Sequence, residues 1–189
     1  MRKLKLQMQT SFDGFVSTGP NDEQKWVTWA IDEIRPHVLS LADSSDTILI
    51  GRKLAVDYIP YWLNVVANPD DPMFDIGEHV VRMKKLVFSK TLEESLWPNT
   101  DIASGYLVDE VTQLKKKDGK DIIVYGGSSF VSDLIKEELI DEFHFFVNPV
   151  VLGKGEAVFN KLENNSQLVL KDCIRYNSGI VLMVYESRN

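Results

Sequence analysis

The sequence predicts an α/β fold built on a sheet of mixed direction, and three observations carry that expectation. Short apolar runs bounded by turn residues alternate with amphipathic segments at helical spacing, the pattern of strand–helix–strand units. Two of the runs, Ile48-Leu-Ile50 and Ile122-Ile-Val124, are apolar at every position, as strands covered on both faces are. The last two runs, residues 167–176 and 179–186, are joined across Asn177-Ser178-Gly179 and read as an antiparallel hairpin.

Taken in order, residues 4–11 alternate with period 2 and form the first strand, closed by the turn Asp13-Gly14. Phe15 to Ser17 extends it before the loop from Thr18 to Asp22. A helix is expected from Glu23, because Trp26, Val27, Ala30, Ile31, Ile34 and Val38 share one face; Pro36 should kink or divide it. Residues 47–50 make the second strand. A brief helix follows Arg52 and gives way to the aromatic cluster of Tyr58, Tyr61 and Trp62, and Asn68-Pro-Asp-Asp-Pro72 is loop. Then come a helix over 74–84, a strand over 85–89, a strand ending at Leu107, and a helix over 109–117 with acids first and lysines last, as a helix dipole favours. A strand over 121–125, a helix over 129–138 and a strand over 142–151 lead into the final hairpin. No repeat, low-complexity tract or linker interrupts the chain, so one domain over residues 1–189 is expected.

Bulk properties narrow the function. At 189 residues with 44% hydrophobic and 26% charged residues, the chain suits one well-buried core. A formal charge of -7 argues against nucleic acid, whose binding depends on phosphate neutralisation. Cys173 is the single cysteine, which rules out an intrachain disulfide and a cysteine-based zinc cluster. His37, His79 and His144 are too scattered for a triad or a metal set, and no metal is expected. The amino terminus alternates like a strand and does not read as a signal peptide, and no run approaches the roughly 18 apolar residues that span a bilayer. The expectation is a cytoplasmic protein without nucleic-acid or membrane partners.

Three strand ends carry the chemistry. In Ile122-Ile-Val-Tyr-Gly-Gly-Ser-Ser-Phe130, a buried strand breaks on Gly126-Gly127 and passes into a helix opened by Ser128 and Ser129. Backbone N–H groups and the positive end of a helix dipole suit a phosphate there. A tight strand-to-helix turn with serine as N-cap explains the same residues. Gly51-Arg52-Lys53 and Ser89-Lys90-Thr91 each place a cation at a strand end, where Arg in particular matches phosphate geometry. Ligands of open α/β sheets sit beyond such ends, and the coincidence of three weighs more than any one.

Together, Gln9-Thr-Ser-Phe-Asp-Gly14, Ile48-Leu-Ile-Gly-Arg52, Leu86-Val-Phe-Ser-Lys-Thr-Leu92 and Ile123-Val-Tyr-Gly-Gly127 make an ordered set that resembles the dihydrofolate-reductase-like superfamily. Leu139-Ile-Asp-Glu-Phe143, Pro149-Val-Val-Leu-Gly-Lys-Gly155 and Phe159 are similar to the reductase domain of bacterial riboflavin biosynthesis. The resemblance spans nearly the whole chain. It implies a three-layer fold with a central, mostly parallel mixed sheet, helices on both faces and a C-terminal antiparallel hairpin. It further implies NADPH binding, with Gly51, Arg52, Lys53, Ser89, Lys90 and Thr91 around the adenosine end. Gly126, Gly127, Ser128 and Ser129 would hold the pyrophosphate, and Gln9 and Val16 would line the nicotinamide. The family often has Thr where this chain has Leu54, and Ala where it has Gln9; the first change removes a hydroxyl donor and the second narrows the nicotinamide pocket.

Hydride transfer leaves a proton to be supplied. Classical dihydrofolate reductases carry a carboxylate on the first helix after the mobile loop, and Asp32 and Glu33 lie in the corresponding region. A helical wheel sets Asp32 opposite the apolar face and Glu33 beside Trp26 and Trp29; two solvated helix acids fit the same residues. The expectation is an NADPH-dependent reductase of a small heterocyclic substrate, pteridine- or aminopyrimidine-like, working as a homodimer. The alternative is a catalytically silent nucleotide-binding or interaction protein on the same fold.

Overall fold

The computed structural model describes residues 1–188. In chain order the elements are β1 (Leu4–Thr10), α1 (Ile31–Asp43), β2 (Ser45–Gly51), α2 (Arg52–Val66), α3 (Phe74–Arg82), β3 (Lys84–Phe88), β4 (Thr100–Ala103), α4 (Leu107–Lys116), β5 (Asp121–Val124), α5 (Ser128–Lys136), β6 (Glu142–Val147), β7 (Leu168–Arg175) and β8 (Val181–Ser187). They belong to two compact units that interleave along the chain: Met1–Lys3 with Pro36–Gly127, and Leu4–Arg35 with the chain from Ser128 on.

The first unit holds four parallel strands in the order β4-β3-β2-β5. Ile48, Leu49, Ile122, Ile123 and Val124 are wholly buried. Successive strand residues point to opposite faces, so burial at every position means both faces of these strands are covered. Each such side chain contributes about 1.5–3 kcal/mol relative to exposure. Leu49 pairs with Leu86 and Val124, and Gly51 with Phe88, so the carboxyl ends of β2, β3 and β5 lie along one edge. At the opposite ends of the strands, the buried Arg2 guanidinium pairs with Asp46 and donates to Thr47 Oγ1 at 2.8 Å. Helix α3 comes close to α2 at Gly77, where an added Cβ would stand 3.0 Å from Cγ1 of both Val65 and Val66.

The second unit holds β1-β6-β8-β7, with β1 parallel to β6 and the remaining pairs antiparallel. Its sheet is therefore mixed. Met8, Phe145 and Met183 align across three strands on one face, with the ring of Phe159 5.8 Å from that of Phe145. Strand β7, by contrast, is exposed at most of its positions. No helix among the described residues is long and apolar enough to cross a membrane.

Several boundaries differ from those the sequence predicts. The first helix starts at Ile31 and not at Glu23, because Gln24, Trp29 and Ala30 all have positive φ, which breaks a right-handed helix. This late start leaves little more than one turn before Pro36, and the helix runs through the proline undivided. Helix α2 is fifteen residues long and not brief: Ala55, Ile59, Trp62 and Val65 form one buried stripe, and that burial outweighs the cost of Pro60. The strand expected to end at Leu107 ends at Ala103, and Leu107 opens α4. The strand expected over 142–151 stops at Val147, just before the buried Asn148 and the exposed Pro149.

Lys85, in β3, is 3% exposed and donates from Nζ to the carbonyl of Val81 in the last turn of α3 at 2.6 Å. Burial pushes its pKa down from 10.5 to about 8. Between those values the unfolded chain binds the extra proton, so this group adds stability as pH rises through that window. Lys85→Met should abolish this upward component when urea midpoints are compared across the window; an unchanged slope would contradict the assignment.

Candidate functional site

Within the first unit, all three predicted strand ends fall on the carboxyl edge of the parallel sheet. Gly51 ends β2 and is the N-cap of α2, with φ -77° and ψ 146°, no side-chain cap and no acid in the first turn. Arg52 and Lys53 instead occupy the first two helical positions and are exposed. Cations at a helix N-terminus oppose the dipole, so the arrangement favours an arriving anion. Ser89, just past β3, is buried; its Oγ accepts the N–H of Thr91 at 3.1 Å and of Leu92 at 2.8 Å. That turn leaves Lys90 and Thr91 exposed.

Gly126 and Gly127 follow β5. Gly127 has φ +82°, a conformation that favours glycine, and a Cβ on Gly126 would lie 3.4 Å from Leu54 Cδ2. Leu54, where the family often has threonine, thus packs close to the turn. The aromatic cluster is occupied with itself: Tyr58 stacks on Tyr125 at 5.9 Å and 27°, and Trp62 meets Tyr58 and Tyr61 edge-on. Burial raises the pKa of both Tyr58 and Tyr125. Trp62 is buried in this cluster, while Tyr61 remains 53% exposed.

The second unit holds the remaining predicted residues. Helix α5 begins at Ser128, whose hydroxyl donates to Glu156 Oε2 at 2.5 Å, while Ser129 is exposed. Gln9 does not stand free: its Oε1 accepts from Asn148 Nδ2 at 2.9 Å. Asn148 is fully buried, and Nδ2 also lies 3.2 Å from the carbonyls of Thr10 and Phe146. Its Oδ1 accepts the Thr28 N–H at 2.9 Å. Val16 is buried, and its N–H donates to the Glu156 carbonyl at 2.8 Å.

The stretch between β1 and α1 is held by two aspartates. Asp13 accepts from Ser11 Oγ at 2.7 Å and from the N–H groups of Leu152 and Gly153 at 3.1 and 2.7 Å. The Ser11 bond leads the effects that hold its carboxyl down to about 2. Asp22 accepts from Thr18 N, Gln24 N and Trp26 Nε1. Near α1, the Ala30 N–H bonds to the Thr28 carbonyl at 2.7 Å around Trp29, whose φ is +59°. A bulky residue there stores strain of order 1–3 kcal/mol, and such strain concentrates at functional sites.

The two candidate acids differ in placement. Glu33 Oε2 accepts both the N–H and the hydroxyl of Ser178, at 3.1 and 3.0 Å, and so anchors the turn between β7 and β8. The Asp32 side chain is 97% exposed, with Arg35 4.0 Å away. Asn148 and Glu156 were absent from the sequence-derived candidates. Only Asn148 left a signal, as the one amide, next to a proline, that closes an apolar strand.

Three carboxyl ends bearing glycines, cations and small hydroxyls on parallel strands, with a mixed sheet ending in an antiparallel hairpin, are the features of the dihydrofolate-reductase-like fold. Residues 2–182 match the family described as the RibD C-terminal domain, and the chain belongs to that family. It is similar to the uncharacterized protein YyaP of Bacillus subtilis (strain 168), at 33% identity over 190 residues, covering 97% of this chain and 94% of that protein. A pyrimidine reductase-like protein of Corynebacterium diphtheriae superposes with a TM-score of 0.66 at 14% identity, over 100% of this chain and 92% of that one. The diaminohydroxyphosphoribosylaminopyrimidine deaminase/5-amino-6-(5-phosphoribosylamino)uracil reductase of Thermotoga maritima does so at 0.69 and 16%, over 99% of this chain and 57% of that one. At these identities the two structures establish the fold.

Replacing Asn148 with alanine would strip partners from the Thr28 N–H and the Gln9 amide. The expected cost is roughly 2 kcal/mol of unfolding free energy, since both partners are only partly buried and each hydrogen bond lost contributes about 0.5–1.5 kcal/mol. A urea midpoint matching the unmutated chain would show that the amide does not organise this end of the unit.

Proposed function

We propose that the chain is an NADPH-dependent reductase of a small heterocyclic substrate, pteridine- or aminopyrimidine-like. The observation that carries this reading is the start of α2, where Arg52 and Lys53 replace the acid or capping side chain that a helix N-terminus favours. No carboxylate among the described residues pairs with them, in a chain of net charge -7. A phosphate dianion is the kind of group such a position stabilises, and the 2′-phosphate is what separates NADPH from NADH. We assign it to Arg52, Lys53 and Lys90, with Ser89 shaping the turn that presents Lys90. The Gly126-Gly127 turn and the start of α5 would receive the pyrophosphate, since both offer N–H groups and the glycines add no Cβ to obstruct the approach. The family and the pyrimidine reductases among its structural relatives support the substrate class.

Bound NADPH supplies a hydride, and the chain then has to manage one proton. Glu33 is committed to the Ser178 turn, where it positions backbone. Asp32 is open to water and is the carboxylate left to relay a proton. Its exposure also favours a second reading, a nucleotide-binding module without catalysis, because an acid open to water lacks the burial that tunes a proton donor.

Arg52→Ala combined with Lys90→Ala should weaken NADPH roughly a hundredfold and NADH little, the scale expected for lost charge-assisted hydrogen bonds. Fluorescence titration measures both affinities, and equal affinities for the two cofactors in the unmutated chain would count against the assignment. Oxidation of bound NADPH across pterins and aminopyrimidines separates the enzyme from the silent module. In that assay Asp32→Asn should lower kcat and alter its pH profile. Glu33→Ala should lower thermal stability and leave the profile's shape intact; the reverse pattern would exchange their roles.

A further inference from the structure

A run of hydrogen bonds inside the second unit ends in a carboxylate at the start of α5. The Glu156 N–H donates to the Ser17 carbonyl at 2.8 Å, and the Glu156 carbonyl accepts the Val16 N–H at 2.8 Å. These bonds form a two-residue antiparallel bridge. Gly155 makes the approach possible: a Cβ there would stand 2.2 Å from the Ser17 carbonyl oxygen. Downstream, Ser132 Oγ lies 3.3 Å from Asn160 Oδ1, and Lys161 Nζ lies 2.6 Å from Asp133 Oδ1, so residues 156–161 run along α5. With its backbone held on one side by the bridge, Glu156 turns its side chain to α5, where Oε2 accepts a hydrogen bond from the Ser128 hydroxyl at 2.5 Å.

A carboxylate in this position does for the free protein what a phosphate oxygen would do in a complex. It accepts from Ser128 and lies near the positive end of the helix dipole. It cannot share that place with a second anion without repulsion. We infer that Glu156 is an internal competitor for the anionic group bound at the turn that opens α5 with Ser128 and Ser129, and that it sets the affinity of that turn. The inference rests on the reading that this turn receives the cofactor's pyrophosphate. Binding requires the Glu156 carboxylate to leave Ser128. Since the bridge to Val16 and Ser17 uses only backbone atoms, side-chain rotation is sufficient. The residue is therefore a specificity determinant: the turn rejects weak anions, and it admits a ligand whose other contacts offset the displacement.

The test uses the full chain and two probes, inorganic pyrophosphate and NADPH, titrated calorimetrically into the unmutated protein, Glu156→Gln and Glu156→Ala. Glutamine keeps the shape and an acceptor for Ser128 while removing the charge, so a folding defect in the alanine variant does not obscure the result. Both variants should bind pyrophosphate roughly tenfold more tightly than the unmutated chain, as loss of a like charge a few ångströms away predicts. Pyrophosphate affinities that do not differ, or no pyrophosphate binding by any of the three proteins, would overturn the inference. NADPH bound equally well by the unmutated chain and Glu156→Gln would overturn it too, while leaving the cofactor reading standing. Tighter pyrophosphate binding in the variants, with no NADPH binding anywhere, would support the role of Glu156 and remove the cofactor reading instead.

Discussion

The side-chain amide of Asn148 is the constraint on which one end of the second unit depends. It is buried completely, so every polar atom it carries must find a partner inside the protein. Its Nδ2 group reaches Gln9 and the carbonyls of Thr10 and Phe146, and its Oδ1 holds the Thr28 N–H. One side chain thereby joins the ends of two parallel strands to the loop that precedes α1. The strained backbone at Trp29 and Ala30 lies directly beyond Thr28, and strain of that kind persists only where neighbouring contacts over-determine the conformation.

Two helix N-termini show contrasting electrostatics. At α2 the helix offers two cations, no side-chain cap and no acid in its first turn, in an otherwise acidic protein. At α5 the positive end is answered from within, by Glu156 through Ser128. The same helix dipole thus meets two cations in one case and a carboxylate in the other. Where the side chains stand decides between them.

The order of strands and helices was legible because burial periodicity is local. The apolar runs at Ile48–Ile50 and Ile122–Val124, the alternation from Leu4, and the turn before the last strand each report on their own few residues. The strand-end positions Gly51, Ser89 and Gly126 were legible for the same reason. The stretch from Glu23 to Ala30 misled, since its apolar spacing suits a helix while Asp22 and Asn148 hold it in a different path. Helix α2 misled in the opposite sense: Pro60 suggested an interruption, and a buried stripe of Ala55, Ile59, Trp62 and Val65 overruled it.

The sequence by itself determined the α/β class, the parallel strands with cations and glycines at their carboxyl ends, and the family to which those motifs point. These follow from patterns of a few neighbouring residues, which local backbone geometry reads directly. Only the tertiary structure decided that Glu33 anchors the Ser178 turn while Asp32 faces water, that Gln9 is held by Asn148, and that Glu156 sits on Ser128. Those partners lie 28 to 145 residues apart in sequence. No local pattern encodes a hydrogen bond across such a distance; it exists only once burial has brought the two groups together and removed the water that would otherwise have satisfied them.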